Sequence, residues 1–237
     1  MKNKIKNITA IAVTLAFCLV FIIRLAGISI LRQYISYGIG DCRSIPILCM
    51  EPDEKTVTPE IDKEYYETLV PQNFPKLSIS IPKGFSVVQE LIKRRYYKRR
   101  KTGEEAVIYL LRQEPKAFLN LYPDVKKMGV NNNYEFIQKI MQANLTKIKN
   151  IPDAFFVIVK SIITPDIGPQ NISRMIRFEL GDKTGFINYT MTKRINYFDC
   201  SVFDAQDNFF KVYIKDVPAR LDLNKVFTII SSLKPED

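Results

Sequence analysis

The sequence predicts an α+β protein in which an N-terminal transmembrane helix is followed by a mostly antiparallel sheet covered by helices. Three observations carry this expectation. Residues Ile8 to Ile23 (ITAIAVTLAFCLVFII) run without a charge directly after Lys2, Lys4 and Lys6. Between residues 172 and 215, four segments rich in β-forming residues are separated by clusters of turn formers. Near the C-terminus, Leu223, Val226, Phe227 and Ile230 fall at i, i+3, i+4 and i+7, a stripe that needs a sheet to bury it.

The apolar run resumes after Arg24 and ends at Leu31. As a helix, Ile8 to Leu31 would span about 36 Å, enough for a hydrocarbon core of about 30 Å. Lys2, Lys4 and Lys6 on one side, against Arg32 and Arg43 on the other, place the short N-terminus in the cytoplasm and the body of the chain outside. Tyr34 and Tyr37 follow where an aromatic belt would sit. A cleaved signal peptide is the rival; it would need a small-x-small site after the run, and only Leu25-Ala26-Gly27 is offered. The expected division is therefore residues 1–32 as cytoplasmic tip and transmembrane anchor, 33–75 as juxtamembrane segment and linker, and 76–237 as an extracytoplasmic α+β domain. That places the chain in a cell membrane, single-pass. Many Lys, Asn and Ile residues fit an AT-rich bacterial genome.

Cys42 and Cys49 lie just beyond the run, on the oxidising side, with Pro46 favouring a bend between them, so a short disulfide loop that stiffens the stalk is expected. The spacing is not that of a CxxC redox motif. Cys18 belongs to the apolar run, and Cys200, in the alternating YFDCSVF, reads as core packing. The acidic stretch from Glu51 to Glu67 reads as a solvated linker, with a short helix from Pro59 that aligns Ile61, Tyr65 and Leu69 and is closed by Pro71 and Pro75.

The domain opens on Leu77-Ser78-Ile79-Ser80-Ile81, which alternates with period two, and turns at Pro82-Lys83-Gly84. Residues 85–88 continue apolar, and Ala106 to Leu111 read as a buried strand, with Thr102-Gly103 as a hairpin turn. Phe136, Ile137, Ile140 and Met141 mark one face of a helix that Asn133 caps. Phe155 to Ile163 (FFVIVKSII) reads as a β-rich run. The four expected strands are Ile172–Leu180, Phe186–Thr192, Tyr197–Phe203 and Phe209–Lys215. In the last of them Phe210, Val212 and Ile214 point one way and Lys211 and Lys215 the other, as in a sheet with one wet face. Asp222 caps the closing helix.

Composition excludes more than it assigns. The chain has no histidine and no tryptophan, which removes His-based triads, His-ligated zinc and haem and the commonest general base. No catalytic, cofactor-binding or metal-ligating set is read from it. The net charge is +10, of which five charges belong to Lys2, Lys4, Lys6, Arg24 and Arg32; the remainder is too small to argue for nucleic acid, which the expected location also disfavours. One dense patch stands out: Lys93, Arg94, Arg95, Lys98, Arg99, Arg100 and Lys101, interleaved with Tyr96 and Tyr97. It reads either as a solvated hairpin tip with its tyrosines packed at the root, or as a surface for an anionic lipid or polymer. Asp199, Asp204 and Asp207 surround a hairpin, where turn chemistry accounts for Asp204 and Asp207 without metal or catalysis.

Leu77 to Phe85, a strand with a Pro-x-Gly-aromatic turn, and Phe210 to Ile214 followed by the helix ending FTIISSLK, together resemble the two ends of the Mog1/PsbP-like α/β fold group. That resemblance, over residues 77–234, implies a non-enzymatic module that binds partner proteins or assists assembly. The expected function is a membrane-anchored, non-catalytic binding or assembly-accessory domain with a protein partner in a bacterial envelope. Two alternatives stand beside it. One is a hydrolase or transferase built on carboxylates, which requires a cleft with two acids. The other is a carrier of lipid or another hydrophobic ligand, which requires an apolar cavity between helices and sheet.

Overall fold

The computed structural model describes residues 24–74, 77–91, 94–101, 104–165 and 172–235. Its centre is a seven-stranded antiparallel sheet in the order β3-β4-β5-β9-β8-β7-β6. The strands are β3 (Ser86–Leu91), β4 (Arg94–Lys101), β5 (Glu104–Gln113), β6 (Ser173–Leu180), β7 (Lys183–Met191), β8 (Asn196–Phe203) and β9 (Phe209–Asp216). The four late strands are found, with β7 starting at Lys183 rather than Phe186, because Gly181 and Asp182 alone make the turn. Their register is continuous, from Leu180 opposite Lys183 to Phe203 opposite Phe209. β7 lies so close to its neighbours that a Cβ on Gly185 would run into the Ser201 carbonyl oxygen and the Phe178 ring.

One face of this sheet is closed by a three-stranded sheet, β1 (Val70–Phe74), β2 (Leu77–Ile81) and β10 (Lys234–Pro235), and by helix α6 (Leu223–Ser231). Leu77, Ile79 and Ile81 from β2 and Val226, Phe227, Ile229 and Ile230 from α6 form one apolar cluster with Ile108, Leu110, Phe198, Val202, Val212 and Ile214 of the large sheet. Asp222 caps α6 by accepting from the Lys225 amide at 2.9 Å. Helix α2 (Lys63–Thr68) is held to α6 where the Asp62 amide donates to Thr228 Oγ1 at 2.9 Å. It starts later than Pro59 because Asp62 supplies the cap. Pro71 does not end the chain's order but sits in β1, an edge strand, where a missing N–H costs no ladder bond.

Helices α3 (Ala117–Leu121), α4 (Asn133–Gln142) and α5 (Ile151–Ile163) cover part of the opposite face. Phe136, Ile137, Ile140, Phe156 and Val159 pack there on Met175, Phe186, Phe203 and Phe209. The stretch expected as strand Phe155–Ile163 is thus helical. Asn150 caps it by accepting from the Asp153 amide, and Pro152 lies in its first turn. It is buried on two sides, by Phe156 and Val159 in one cluster and Ala154 and Val157 in another, and its apolar run extends onto the exposed Ile158 and Ile162, so the stretch is apolar nearly throughout. Asn132, not Asn133, caps α4; Asn133 is buried and donates to the Glu114 and Asp207 carbonyls at 2.8 and 3.0 Å.

The expected fold class is corrected at its N-terminal end: among the described residues no helix is long and apolar enough to cross a membrane. The first part of the proposed span, residues 8–23 with Cys18, lies outside the described residues. Residues 24–38 form helix α1, which carries Arg24 and Arg32. Its Ile35 is buried with Leu48, Leu145, Ile148 and Val157, and Leu31 packs beside them, while Arg32 donates to the Ile148 carbonyl. Protein, rather than lipid, takes the apolar residues of this helix that point inward. The segment expected as a free linker is also packed on the domain: the Asp53 and Val57 amides donate to the Met175 and Arg177 carbonyls along β6.

Candidate functional site

Strand alternation divides the large sheet into two chemically distinct faces. Where α3, α4 and α5 leave the second face uncovered, a groove of about 430 Å³ opens over β5, β9 and β8. Tyr109, Leu111 and Gln113 of β5 and Phe209, Lys211 and Tyr213 of β9 form its floor, with Asp199 and Ser201 of β8 beside them. Phe118, Ile137, Ile163 and Pro165 form its wall. The volume lies in the range of small-molecule sites.

The floor holds one ion pair. Lys211 Nζ lies 2.7 Å from Asp199 Oδ2 and donates more weakly to Ser201 Oγ at 3.4 Å. The Asp199 side chain is fully buried, whereas that of Lys211 is 12% exposed. Asp199 Oδ1 has no hydrogen-bond partner among the described residues. Burial pushes the Asp199 carboxyl up, against the pull of the Lys211 ammonium. The same burial, reinforced by Asp199, pushes the neighbouring Cys200 thiol well up, so this free cysteine is an inert core residue on the closed face. The expected wet face is therefore only partly wet: Lys211, read from alternation as solvated, is held over a buried acid.

The other two acids of the hairpin have structural work. Asp204 accepts from the Gln206 and Asn208 amides and from Asn208 Nδ2, closing the β8–β9 turn. Asp207, at φ 64°, accepts from the Asn133 and Tyr134 amides at 2.9 and 3.1 Å and so adds a second cap to α4 across the fold. Among the described residues, Asp199 is the one acid that lines the groove, where carboxylate hydrolysis calls for a pair. Among the described residues no group of three His, Cys, Asp or Glu side chains can hold a metal.

The basic patch maps onto β4, whose alternation separates it. Lys93 lies outside the described residues, and of Arg94, Arg95, Arg100 and Lys101 only the backbone, in β4, is described. Lys98 is paired with Glu105 at 2.7 Å. Arg99 faces the other way, 3.4 Å from Asp216 and with its guanidinium 4.9 Å from the centre of the Phe85 ring. Tyr97, two residues before Arg99 on the same side of the strand, is fully buried. Cys42 and Cys49 are joined in a disulfide with Cα atoms 5.6 Å apart. It encloses Ile47 and Leu48, which are core residues rather than part of a stalk.

Lys160, which sequence reasoning missed, is the most buried cation among the described residues. Its Nζ donates to the carbonyls of Met50, Met141 and Ala143 at 2.5, 2.8 and 2.8 Å, tying α5 to the end of α4 and to residue 50. Burial pushes the ammonium down to about 7, with Glu51 opposing. The one sequence signal was a lone lysine inside FFVIVKSII.

No protein-family model matches the chain, and no curated protein matches it in sequence. A solved structure from Bacteroides thetaiotaomicron VPI-5482 is similar at a TM-score of 0.31 and 7% identity, over 68% of this chain and 45% of that one. The chain thus matches less than half the length of that protein, and a likeness of this size bears on neither fold nor function.

Proposed function

We propose that this protein is a non-catalytic binding module working outside the cytoplasm, and that its groove takes a small hydrophobic or amphipathic ligand. The observation that carries this reading is the 430 Å³ apolar groove between helices and sheet with a single ion pair in its floor. A concavity of this size suits a small molecule better than the flat patch of about 800 Å² that a protein partner needs on each side. The Cys42–Cys49 disulfide supports an oxidising compartment. The Mog1/PsbP-like resemblance also favours binding over catalysis, and would make a partner protein the eventual recipient or source of the ligand.

The test is titration of the full chain with the uncharged dye Nile red. One dye per chain should bind with a rise in fluorescence, and Leu111→Arg, which places a guanidinium in the groove, should abolish it while the far-ultraviolet circular dichroism is kept. Undiminished binding to Leu111→Arg would refute the groove as the site.

A further inference from the structure

We infer that the groove selects an amphiphile with an uncharged oxygen at its polar end, which accepts a hydrogen bond from Lys211 while the apolar body lies against Leu111, Phe118, Ile137 and Ile163. This rests on the reading of the groove as a ligand site and deepens it.

The floor is asymmetric. Of the two side chains, only that of Lys211 keeps any surface for an occupant to reach; that of Asp199 is fully buried. A lysine carries three N–H donors. One goes to Asp199 Oδ2 at 2.7 Å, and a second points toward Ser201 Oγ at 3.4 Å, a long and weak bond. Donor capacity is left on the ammonium in the groove floor, and nothing apolar satisfies it. An acceptor on the ligand does.

The charge on that acceptor follows from Asp199. The carboxylate already neutralises Lys211 and leaves Oδ1 without a partner among the described residues. A ligand carboxylate would therefore gain little net attraction, would feel Asp199 repel it through the ammonium, and would lose its own hydration among Leu111, Phe118 and Ile163. A ligand ammonium would face Lys211 directly. A hydroxyl, ester or amide oxygen meets neither cost. A hydroxyl has the further merit that its proton has Tyr109, Gln113 and Tyr213 along the same floor as neighbours.

The experiment displaces Nile red from the full chain with a ten-carbon series: decane, decanol, methyl decanoate, decanoate and decylamine. Decanol and methyl decanoate should displace at least tenfold better than decanoate or decylamine. Lys211→Met should weaken decanol about tenfold and leave decane unchanged. Because that variant strands Asp199, the double variant Asp199→Asn/Lys211→Met is measured beside it, and it should bind the dye but lose the preference for decanol over decane. Equal or better displacement by decanoate, or an unaltered decanol preference in both variants, overturns the inference and leaves the groove reading intact. Failure of the dye and of every member of the series to bind overturns the groove reading itself, and the inference with it.

Discussion

The two faces of the seven-stranded sheet are made by the same strands, one residue out of step. On one face Ile108, Leu110, Phe198, Cys200, Val202, Phe210, Val212 and Ile214 meet α6 and β2 and exclude water. On the other, their immediate neighbours Tyr109, Leu111, Asp199, Ser201, Lys211 and Tyr213 are left under an incomplete helical cover. Those closed-face positions carry no charged side chain, and the open face holds a buried acid, one oxygen of which has no partner among the described residues. Stability has been concentrated on one side and polar chemistry on the other, so the two functions of the sheet can be broken separately.

The largest effect is expected on the closed face. Phe227 of α6 is 1% exposed and meets the Phe178 ring edge-on at 5.1 Å. Phe227→Ala should cost about 3–5 kcal/mol in denaturant titration, from lost transfer energy plus the cavity left behind. Next comes Lys160. Its ammonium is pushed down to about 7 in the fold, from an ordinary lysine value of 10.5. Between those two pH values the unfolded chain binds the proton that the folded chain has released, so stability should rise with pH from about 7 upward, by up to about 1.4 kcal/mol per pH unit. Below pH 7 both states hold the proton and the penalty is constant. The measurement is the difference between wild type and Lys160→Met in stability at pH 6, 7.5 and 9; an equal pH slope in both would remove Lys160 as its source. Smaller again is the disulfide. Cys42→Ser/Cys49→Ser opens a short loop and should cost about 2 kcal/mol in chain entropy, with the loss confined to α1 and residues 39–50 in hydrogen exchange.

Much of the closed face was legible in the sequence. Leu77 to Ile81 and the α6 stripe have clear periods, and Leu77 to Ile81 buries alternate residues only; the late strands, of which β7 and β8 are buried on both faces, were legible from their β-forming residues and the turn formers between them. The helical layer was legible where a clear period holds: Phe136, Ile137, Ile140 and Met141 gave α4. It failed at α5, where the apolar run continues past the buried residues onto the exposed Ile158 and Ile162 and β-branched residues took over the reading. The N-terminal error has a related cause. An apolar helix looks the same whether lipid or protein covers it, and most of what packs with Leu31 and Ile35 (Leu145, Ile148, Ala154 and Val157, beside the nearer Leu48) lies more than a hundred residues away in sequence. The groove was legible only as an alternation in β9. Which of Lys211 and Lys215 would find a buried acid depends on the register between β8 and β9, and that is a property of pairing rather than of either strand.

The sharpest comparison needs two adjacent residues. Leu110 and Leu111 share a strand, a side-chain type and a propensity; they differ only in the face to which alternation sends them. Leu110 is 1% exposed in the closed cluster, and Leu111 is half-buried in the groove. Leu110→Ala should cost about 2–5 kcal/mol and leave the affinity of the folded fraction for Nile red unchanged. Leu111→Ala should cost less than about 1 kcal/mol, because its methyl groups already border open space and their removal enlarges a groove rather than creating a sealed cavity. It should weaken the dye severalfold instead. Equal stability losses at the two positions would mean that the second face is packed core like the first, and that the groove is filled by the chain's own side chains in solution.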